Sequence, residues 1–319
     1  MTELLQYLPP VRGKIEAHVP LRDITYLHVG GKAEVFFEPA DSDDLINFLR
    51  KRPAVVPITV LGAGSNVLIR DGGVPGVVIH LGDWFKRIFK EGVTFEVGGG
   101  VLVADFAENA AQQGVSGFEF LSTMPGTMGG GIPINAGCFG RNMKDILLEI
   151  EVVDFQGHVH WVPAKKIGLT YRKSAMPNDW IILRAWVCGS VLAPSLILRT
   201  MDELRETRVT QQPTGCYTAG STFKNPEGKN AWELISAVGL RGVHHGGASV
   251  SEKHVNFLLN DNHATAEDLE TLGEMIREKV LKKTGVDLEW EIVRLGTKTP
   301  TVTDWARLIS QEERRDEAL

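Results

Sequence analysis

The chain has 319 residues, 43% hydrophobic and 23% charged, which is ordinary for a soluble globular protein of two or three domains. Its net charge of −6 gives no basic excess for nucleic acid, and no apolar run approaches the ~18 residues that span a membrane. The N-terminus lacks the basic region and apolar core of a signal peptide. Three distant cysteines fit a reducing compartment better than a disulfide framework, so we expect a cytoplasmic protein: Cys138, Cys188 and Cys216.

The first third of the chain predicts a βαβ-like unit. Residues 1–20 have mixed charge and weak periodicity and are predicted to form an N-terminal arm. The following unit, 21–86, contains a predicted helix at 42–51, where Ser42 is the expected capping residue and acids precede bases. The predicted strands of this unit are 33–38, 57–61 and 76–81.

Two further units and a tail are predicted beyond residue 86. They occupy residues 87–204 and 205–296, and a charged tail, which we expect to fray or to dock as a short helix, occupies 297–319. A β-hairpin is expected to turn at Gln156-Gly157, and Thr265 to Asp268 resemble a capping box. The predicted elements are the hairpin 150–162, the strands 94–97, 180–187 and 286–295, and the helices 102–111, 196–208, 230–238 and 265–283.

Two glycine-dense stretches are the most informative feature of the sequence. One is Leu-Gly-Ala-Gly-Ser-Asn at 61–66, and the other begins Met-Pro-Gly-Thr-Met-Gly-Gly-Gly at 124–131 and continues to Gly140. Glycine permits positive φ angles and lets another molecule approach the bare backbone. Successive backbone N–H groups freed in this way form an anion-binding nest. Two such nests predict a pyrophosphate-bearing ligand held along its length.

The common nucleotide and metal fingerprints are absent from the sequence. The first glycine loop lacks the third glycine of G-x-G-x-x-G, and residues 215–221 have the spacing of a P-loop without its lysine. There is no H-E-x-x-H and no C-x-x-C. The paired histidines 158/160 and 244/245 are typical of exposed strand and loop positions. No metal site is predicted.

Five motifs taken in order resemble one enzyme family. The two glycine loops resemble the FAD-binding loops of flavoproteins of the vanillyl-alcohol-oxidase type. With three later motifs they resemble the UDP-N-acetylenolpyruvoylglucosamine reductase (MurB) family, over about residues 25–296. Arg172 and Ser221 lie 49 positions apart, which resembles the short form of the family, without the insertion that carries a substrate-covering tyrosine. The motifs are 61–73, 117–140, 171–174, 219–226 and 288–294.

The resemblance implies an α+β fold, with a split FAD-binding module of two subdomains and a C-terminal α/β substrate-binding domain. It implies NADPH-dependent reduction of UDP-N-acetylglucosamine enolpyruvate to UDP-N-acetylmuramate for peptidoglycan synthesis, with hydride passing from flavin N5. It also implies a monomer or weak homodimer with no nucleic-acid or membrane partner. Two alternatives stay open: a flavin oxidase or dehydrogenase of the same fold acting on an alcohol, and a non-catalytic flavin or UDP-sugar binding protein.

Three catalytic residues are implied by the resemblance. Ser221 corresponds to the proton donor to the substrate carbon, and it needs a relay or a nearby positive charge because a serine hydroxyl does not titrate near neutrality. Arg172 corresponds to the cation that clamps the substrate carboxylate and stabilises the enolate. Glu291 should lie beside the same intermediate, with a pKa raised by like-charge repulsion and desolvation. The alternatives are a turn hydroxyl for Ser221, a structural ion pair for Arg172, and Glu289 in place of Glu291.

The resemblance also assigns ligand-binding residues. Asn66 stands where covalent flavoproteins carry a histidine, so the FAD is expected to be non-covalent. Ala63 replaces a common glycine of the first loop, and alanine is acceptable there if its φ is negative. Lys224 and Asn225 are candidates for substrate carboxylate or phosphate contacts, although exposed loop residues are the alternative. The implied FAD-binding residues are Gly62, Gly64, Ser65, Asn66, Gly126, Thr127, Gly130, Asn135, Ala136 and Gly137.

Overall fold

The computed structural model describes residues 3–261 and 263–316. Within these residues no helix is both long and apolar enough to cross a bilayer. The helices are α1 (Ser42–Lys51), α2 (Val103–Gln112), α3 (Met128–Gly131), α4 (Ala164–Ile167), α5 (Pro194–Gln211), α6 (Ala231–Ala237), α7 (Ala266–Thr284) and α8 (Trp305–Asp316). The strands are β1 (Lys14–Pro20), β2 (Lys32–Glu38), β3 (Ile58–Leu61), β4 (Val67–Ile69), β5 (Val74–His80), β6 (Ile88–Glu91), β7 (Thr94–Gly98), β8 (Val115–Ser116), β9 (Gly137–Cys138), β10 (Arg141–Asn142), β11 (Leu147–Asp154), β12 (Val159–Pro163), β13 (Trp180–Cys188), β14 (Ser190–Val191), β15 (His244–His245), β16 (Ala248–Val250), β17 (Leu258–Asn260) and β18 (Val293–Leu295).

The first unit is a four-stranded sheet in the order β1-β2-β5-β3, and β1 is its antiparallel edge. The prediction of an arm missed β1, because Ile15, Ala17 and Val19 alternate with polar residues but are only half-buried, which makes a weak apolar pattern. Helix α1 has the predicted bounds and packs Leu45 and Phe48 into the core. Its N-cap is Asp41 rather than Ser42, because the Asp41 carboxylate accepts the backbone N–H of Asp44.

The second unit is a five-stranded antiparallel sheet in the order β12-β11-β13-β7-β6. The predicted hairpin is confirmed as β11 and β12. The core beneath the sheet contains edge-to-face contacts of Phe106 with Phe95 and Phe118, with centroids 5.3 and 4.9 Å apart. Helices α2 and α5 pack on this core, which supports the second glycine loop.

One carboxylate organises the tip of the hairpin. Asp154 is nearly buried, and its Oδ2 lies 3.2 Å from His158 Nδ1 and 2.9 Å from His160 Nε2. Its Oδ1 accepts the backbone N–H groups of Gln156 and His158. Burial alone would raise the pKa of Asp154, but these hydrogen bonds together lower it to about 2.

We expect Asp154→Asn to lower stability in a pH-dependent way. Because the folded-state pKa of Asp154 lies below its ordinary value of 3.8, its contribution is present above pH 4 and is lost as pH falls towards 2. The variant should lose about 2 kcal/mol of unfolding free energy at pH 7, and the difference should vanish near pH 2. Urea unfolding across this range measures it. The exposed Glu91→Gln on β6 is the control, and equal curves for Asp154→Asn and wild type at pH 7 would contradict the assignment.

The third unit packs α6 and α7 against a small sheet, β15-β16-β17. Its capping box is confirmed, since Thr265 Oγ1 accepts from Asp268 N and the Asp268 carboxylate accepts from Thr265 N. The predicted strand 286–295 was mostly wrong, because only β18 is a strand. The Trp290 ring instead covers Gly273 of α7, at a point where a Cβ would lie 2.2 Å from it.

Two side chains that follow the first glycine loop attach the third unit to the first unit. Arg70 makes two hydrogen bonds to the Glu270 carboxylate, of 3.0 and 2.8 Å. Asp71 caps α7 from outside the helix, accepting the N–H groups of Ala266 and Glu267 at 3.0 Å each. Strand β18 also pairs in parallel with β4. The third unit is therefore fixed beside the first glycine loop.

The C-terminal tail docks as a helix within the described residues. Trp305 of α8 is buried, and its indole N–H donates to Glu34 at 2.6 Å. Glu312 accepts the backbone N–H of Val55 at 3.1 Å. Helix α8 thus completes the core of the first unit, although the third unit lies between them in sequence.

Candidate active site

The two glycine loops face each other across one cleft. A Cβ placed on Gly62 would lie 2.8 Å from Thr127 Oγ1, and one on Gly126 would lie 3.1 Å from Ser65 Oγ. Side chains at these glycines would therefore fill the space between the loops. The bare backbone leaves the cleft open to a long, thin ligand, as FAD binding requires.

The cleft has a volume of about 750 Å³ and reaches all three units. Both glycine loops form its walls, and its lining also includes Ser221 and the paired Arg172 and Glu291. A second cavity of about 520 Å³ adjoins it and shares Asn66, Arg172 and Glu291. The proposed FAD-binding residues that line the large cleft are Gly62, Gly64, Ser65, Asn66, Gly126, Thr127, Gly130, Ala136 and Gly137.

The first loop connects β3 to β4 and is shaped by contacts with its neighbours. Gly64 has a φ of +65°, and a Cβ there would lie 2.5 Å from the carbonyl oxygen of Ile24. Ala63 is not among the described residues with positive φ, so alanine is tolerated at this position. Asn66 donates through Nδ2 to the Glu291 carbonyl at 3.1 Å, which ties the loop to the third unit.

The second loop is held in shape by Thr127. Its hydroxyl accepts the N–H of Gly130 at 3.2 Å and caps the single turn α3. Gly129 donates its N–H to the Gly99 carbonyl, which fastens the loop to the end of β7. Gly126 has a φ of +113°, a conformation that only glycine adopts readily.

Asn135 differs from the other predicted cofactor residues, because it does not line the cleft although Ile134 and Ala136 do. Its Nδ2 donates to the Thr170 carbonyl and its Oδ1 accepts from Lys144 N, both at 2.9 Å. Its side chain is therefore engaged with backbone away from the cleft.

Arg172 occupies a strained position in a tight turn. Thr170 and Lys173 bond to each other through their backbones, and Arg172 has a φ of +51°. Such a conformation is unusual for a bulky residue and is concentrated at functional sites. The guanidinium donates through Nη2 to the Gly137 carbonyl at 2.9 Å, and its Nε lies 2.7 Å from Glu291 Oε1.

Glu291 is a mostly buried carboxylate facing Arg172. Burial raises its pKa, although the charges of Arg172 and Lys224 oppose the rise. The predicted direction is thus found, and desolvation, one of the two predicted causes, produces it. The competing Glu289 has a side chain 73% exposed and pairs with Lys224 at 2.5 Å, as a solvated residue does. The geometry therefore favours Glu291 for the acidic role.

Ser221 is half-buried and lines the cleft. It forms an isolated bridge with Phe257, and Thr222 N donates to the Asn256 carbonyl at 2.7 Å. The Asn256 side chain bonds both the N–H and the C=O of Phe223, at 3.0 and 2.8 Å. The segment that carries Ser221 is therefore rigidly held.

The two predicted substrate residues differ in position, because Lys224 lines the smaller cavity and Asn225 lines neither of the two. The Lys224 ammonium is paired with Glu289, and it also lines the smaller cavity. Asn225 Oδ1 accepts the first N–H of α6 at 2.9 Å, so part of its amide serves the helix. Its backbone N–H donates to the Tyr171 hydroxyl at 3.3 Å, which joins the second and third units beside Arg172.

Sequence reasoning missed Arg208, which lines the cleft near the end of α5. Burial lowers the pKa of its guanidinium below the ordinary value. Helix α5 also carries the exposed Arg199 and the half-buried Arg205, both in surface ion pairs, so the sequence pattern did not distinguish Arg208 from them. Cys138 also faces the cleft, and burial raises the pKa of its thiol.

Comparison with known proteins identifies the family. Residues 212–295 match the C-terminal domain of UDP-N-acetylenolpyruvoylglucosamine reductase, and residues 33–163 match an FAD binding domain. A reductase of that name from Paramagnetospirillum magneticum is 47% identical, over 91% of this chain and 95% of its own length. The chain belongs to the UDP-N-acetylenolpyruvoylglucosamine reductase family. The Rickettsia conorii member is 45% identical, over 91% of this chain and 98% of its own length.

A solved structure supports the same assignment. The reductase (MurB) from Thermus caldophilus superposes with a TM-score of 0.79 and 34% identity, over 89% of this chain and all of that one. The predicted α+β fold and the FAD cofactor are confirmed, and the protein is an FAD-dependent oxidoreductase. Among the described residues no group of three or more histidine, cysteine or acidic side chains is placed to hold a metal ion.

Proposed function

We propose that this protein reduces UDP-N-acetylglucosamine enolpyruvate to UDP-N-acetylmuramate with electrons from NADPH, in the cytoplasmic synthesis of peptidoglycan precursors. One observation carries the proposal: Arg172, Ser221 and Glu291, from three separate motifs, all line the cleft that both glycine loops line. A cation, a hydroxyl and a carboxyl group that line one cleft suit the reduction of a double bond conjugated to a carboxylate.

The residues of the glycine loops fit FAD. Their backbone N–H groups would hold the pyrophosphate, and the second loop together with Ala136 and Gly137 would line the other side. FAD, when bound, carries hydride from NADPH to the enolpyruvyl double bond. The protein supplies the position of the substrate and the charges around it.

Arg172 stabilises the negative charge that the substrate develops. Once hydride has been added to the terminal carbon, charge accumulates on the neighbouring carbon and its carboxylate. A planar guanidinium binds a carboxylate through two parallel hydrogen bonds. The hydrogen bond to Gly137 and the turn at residues 170–173 hold this group at the cleft before substrate arrives, so little reorganisation is needed.

Ser221 delivers the proton, and Glu291 supports its supply. The serine hydroxyl is a weak acid, so its proton transfer needs neighbouring positive charge and a source of replacement protons. Arg172 provides the charge. Because burial raises the pKa of Glu291, the carboxyl group holds a proton more readily than an exposed glutamate does. The two residues line the same cleft.

Anaerobic flavin absorbance tests the proposal. We expect NADPH to bleach the purified protein and, after excess NADPH is removed, the enolpyruvyl substrate to restore the oxidised spectrum with stoichiometric UDP-N-acetylmuramate. Bleaching by an alcohol and not by NADPH, together with oxygen consumption in a separate aerobic assay, would instead indicate a flavin oxidase. A flavin that none of these compounds reduces would indicate a binding protein.

A further inference from the structure

Asn135 is a buried polar residue that does not line the cleft, so ligand binding there does not account for its side chain. It is 5% exposed and has a φ of +42°, a left-handed conformation that asparagine tolerates better than most residues. Its amide is fully directed at backbone: Nδ2 donates to Thr170 and Oδ1 accepts from Lys144, both at 2.9 Å. Such two-sided bonding needs a donor and an acceptor in one short side chain.

The Thr170 carbonyl that Asn135 binds belongs to the turn that carries Arg172. The amide and carbonyl of Thr170 also bond Lys173, so Arg172 sits at the tip of a closed turn with a φ of +51°. Two residues after Asn135, the Gly137 carbonyl accepts from Arg172 Nη2 at 2.9 Å. The segment 135–137 therefore fixes both the backbone and the guanidinium of Arg172.

We propose that Asn135 is a positioning residue for Arg172, and this rests on the proposed function. A strained φ at a non-glycine residue persists only where the surrounding contacts over-determine it. The amide of Asn135 is one such contact, and it keeps the guanidinium at the substrate carboxylate. Asn135 acts in the step that consumes the substrate and has no part in the reduction of the cofactor.

The test compares Asn135→Asp with wild type in two measurements. The carboxylate keeps the acceptor for Lys144 but turns an oxygen towards the Thr170 carbonyl, so the turn should loosen. We expect the rate of flavin reoxidation by the enolpyruvyl substrate to fall by about 10- to 100-fold, because misplacement by about 1 Å has such an effect. The rate of flavin reduction by NADPH should change less than about twofold.

Calorimetry of binding to the oxidised protein provides a readout that does not depend on turnover. We expect Asn135→Asp to weaken binding of the enolpyruvyl substrate several-fold while leaving binding of UDP-N-acetylglucosamine unchanged, since the latter lacks the carboxylate that Arg172 clamps. Failure of the wild-type protein to bind or reduce the enolpyruvyl substrate would count against the proposed function instead. Failure of the role proposed for Asn135 and failure of the proposed function are thus distinguishable.

Asn260 offers a matched control. It is also buried, and its amide bonds the Leu27 carbonyl and the Ala264 N–H, both at 2.9 Å. Asn260→Asp should lower the melting temperature. It should not change the rate of one half-reaction more than that of the other, nor the affinity for one ligand more than that for the other. If Asn135→Asp fails to fold, Asn135→Gly keeps the left-handed backbone and removes only the amide. Equal losses in both half-reactions, or loss of FAD, would overturn the proposal.

Discussion

Ser221→Ala is expected to slow flavin reoxidation by the enolpyruvyl substrate by about 10²- to 10⁴-fold, the usual contribution of a positioned proton donor. Alanine removes the hydroxyl while the bridge to Phe257 continues to hold the backbone. Reduction by NADPH should keep its wild-type rate, because no proton is delivered to substrate in that half-reaction. Anaerobic stopped-flow absorbance measures both rates on the same sample.

The neighbouring hydroxyl is the matched control for Ser221. Thr222 is 0% exposed, and among the described residues its Oγ1 has no hydrogen-bond partner. Thr222→Val removes that hydroxyl without changing the shape of the side chain, so reoxidation should be unaffected and stability equal or higher. Ser221→Cys retains a donor and should keep part of the rate. A wild-type rate in Ser221→Ala would assign the proton to another group.

Local signals in the sequence predicted most of the longer elements well. Helices α1, α2 and α7 begin and end within one residue of the prediction, because their apolar stripes and end residues are encoded in neighbouring positions. The hairpin β11–β12 is similarly local, since its alternation and its Gln156-Gly157 turn lie in one stretch. These features need no knowledge of the rest of the chain.

Elements that depend on distant partners were missed or misjudged. Strand β4 is defined by its pairing with β18, more than 220 positions away. Residues 286–295 do alternate, yet Leu288 and Trp290 pack against the third-unit core. Trp290 forms only an isolated bridge with Phe223, and the regular pairing is that of β18 with β4. Periodicity shows which side of a segment is buried, but it does not show which other element of the fold covers that side.

The candidate site likewise has features that the sequence predicts and features that it does not. The glycine loops and the three later motifs could be found in the sequence, because special backbone conformations and chemical groups leave recognisable residue types. The sequence alone did not distinguish the roles of individual residues within the site. Asn135 lies in the same motif as Ala136 and Gly137, yet its side chain turns away from the cleft. Arg208 enters the cleft from a helix covered with similar charges.

The three candidate catalytic residues depend on one another through charge and burial. Glu291 is buried enough to have a raised pKa, and Arg172 limits that rise. Arg172 in turn keeps its strained turn through contacts from the second glycine loop. A substrate carboxylate that shares the guanidinium in place would weaken the ion pair and favour a protonated Glu291. Binding would thereby prepare the proton supply that Ser221 needs.

Arg172→Lys should show that the shape of this cation matters as well as its charge. Lysine keeps one positive charge but cannot form two parallel hydrogen bonds to a carboxylate, and it cannot at once reach Gly137 and Glu291. We expect substrate-driven reoxidation to fall by about 100-fold or more, with NADPH reduction preserved. The pKa of Glu291 should rise further, which isotope-edited infrared spectroscopy of its carboxyl group would detect.

Arg184 is the control for this substitution, because it pairs with Glu96 and Glu151 on the outer face of the five-stranded sheet, away from the cleft. Arg184→Lys should lower stability slightly and leave both half-reactions unchanged. Wild-type reoxidation in Arg172→Lys would mean that a point charge is sufficient at this position. The strained turn and its Asn135 anchor would then have no catalytic purpose, and the rigid placement of Arg172 would be a structural property of the second unit alone.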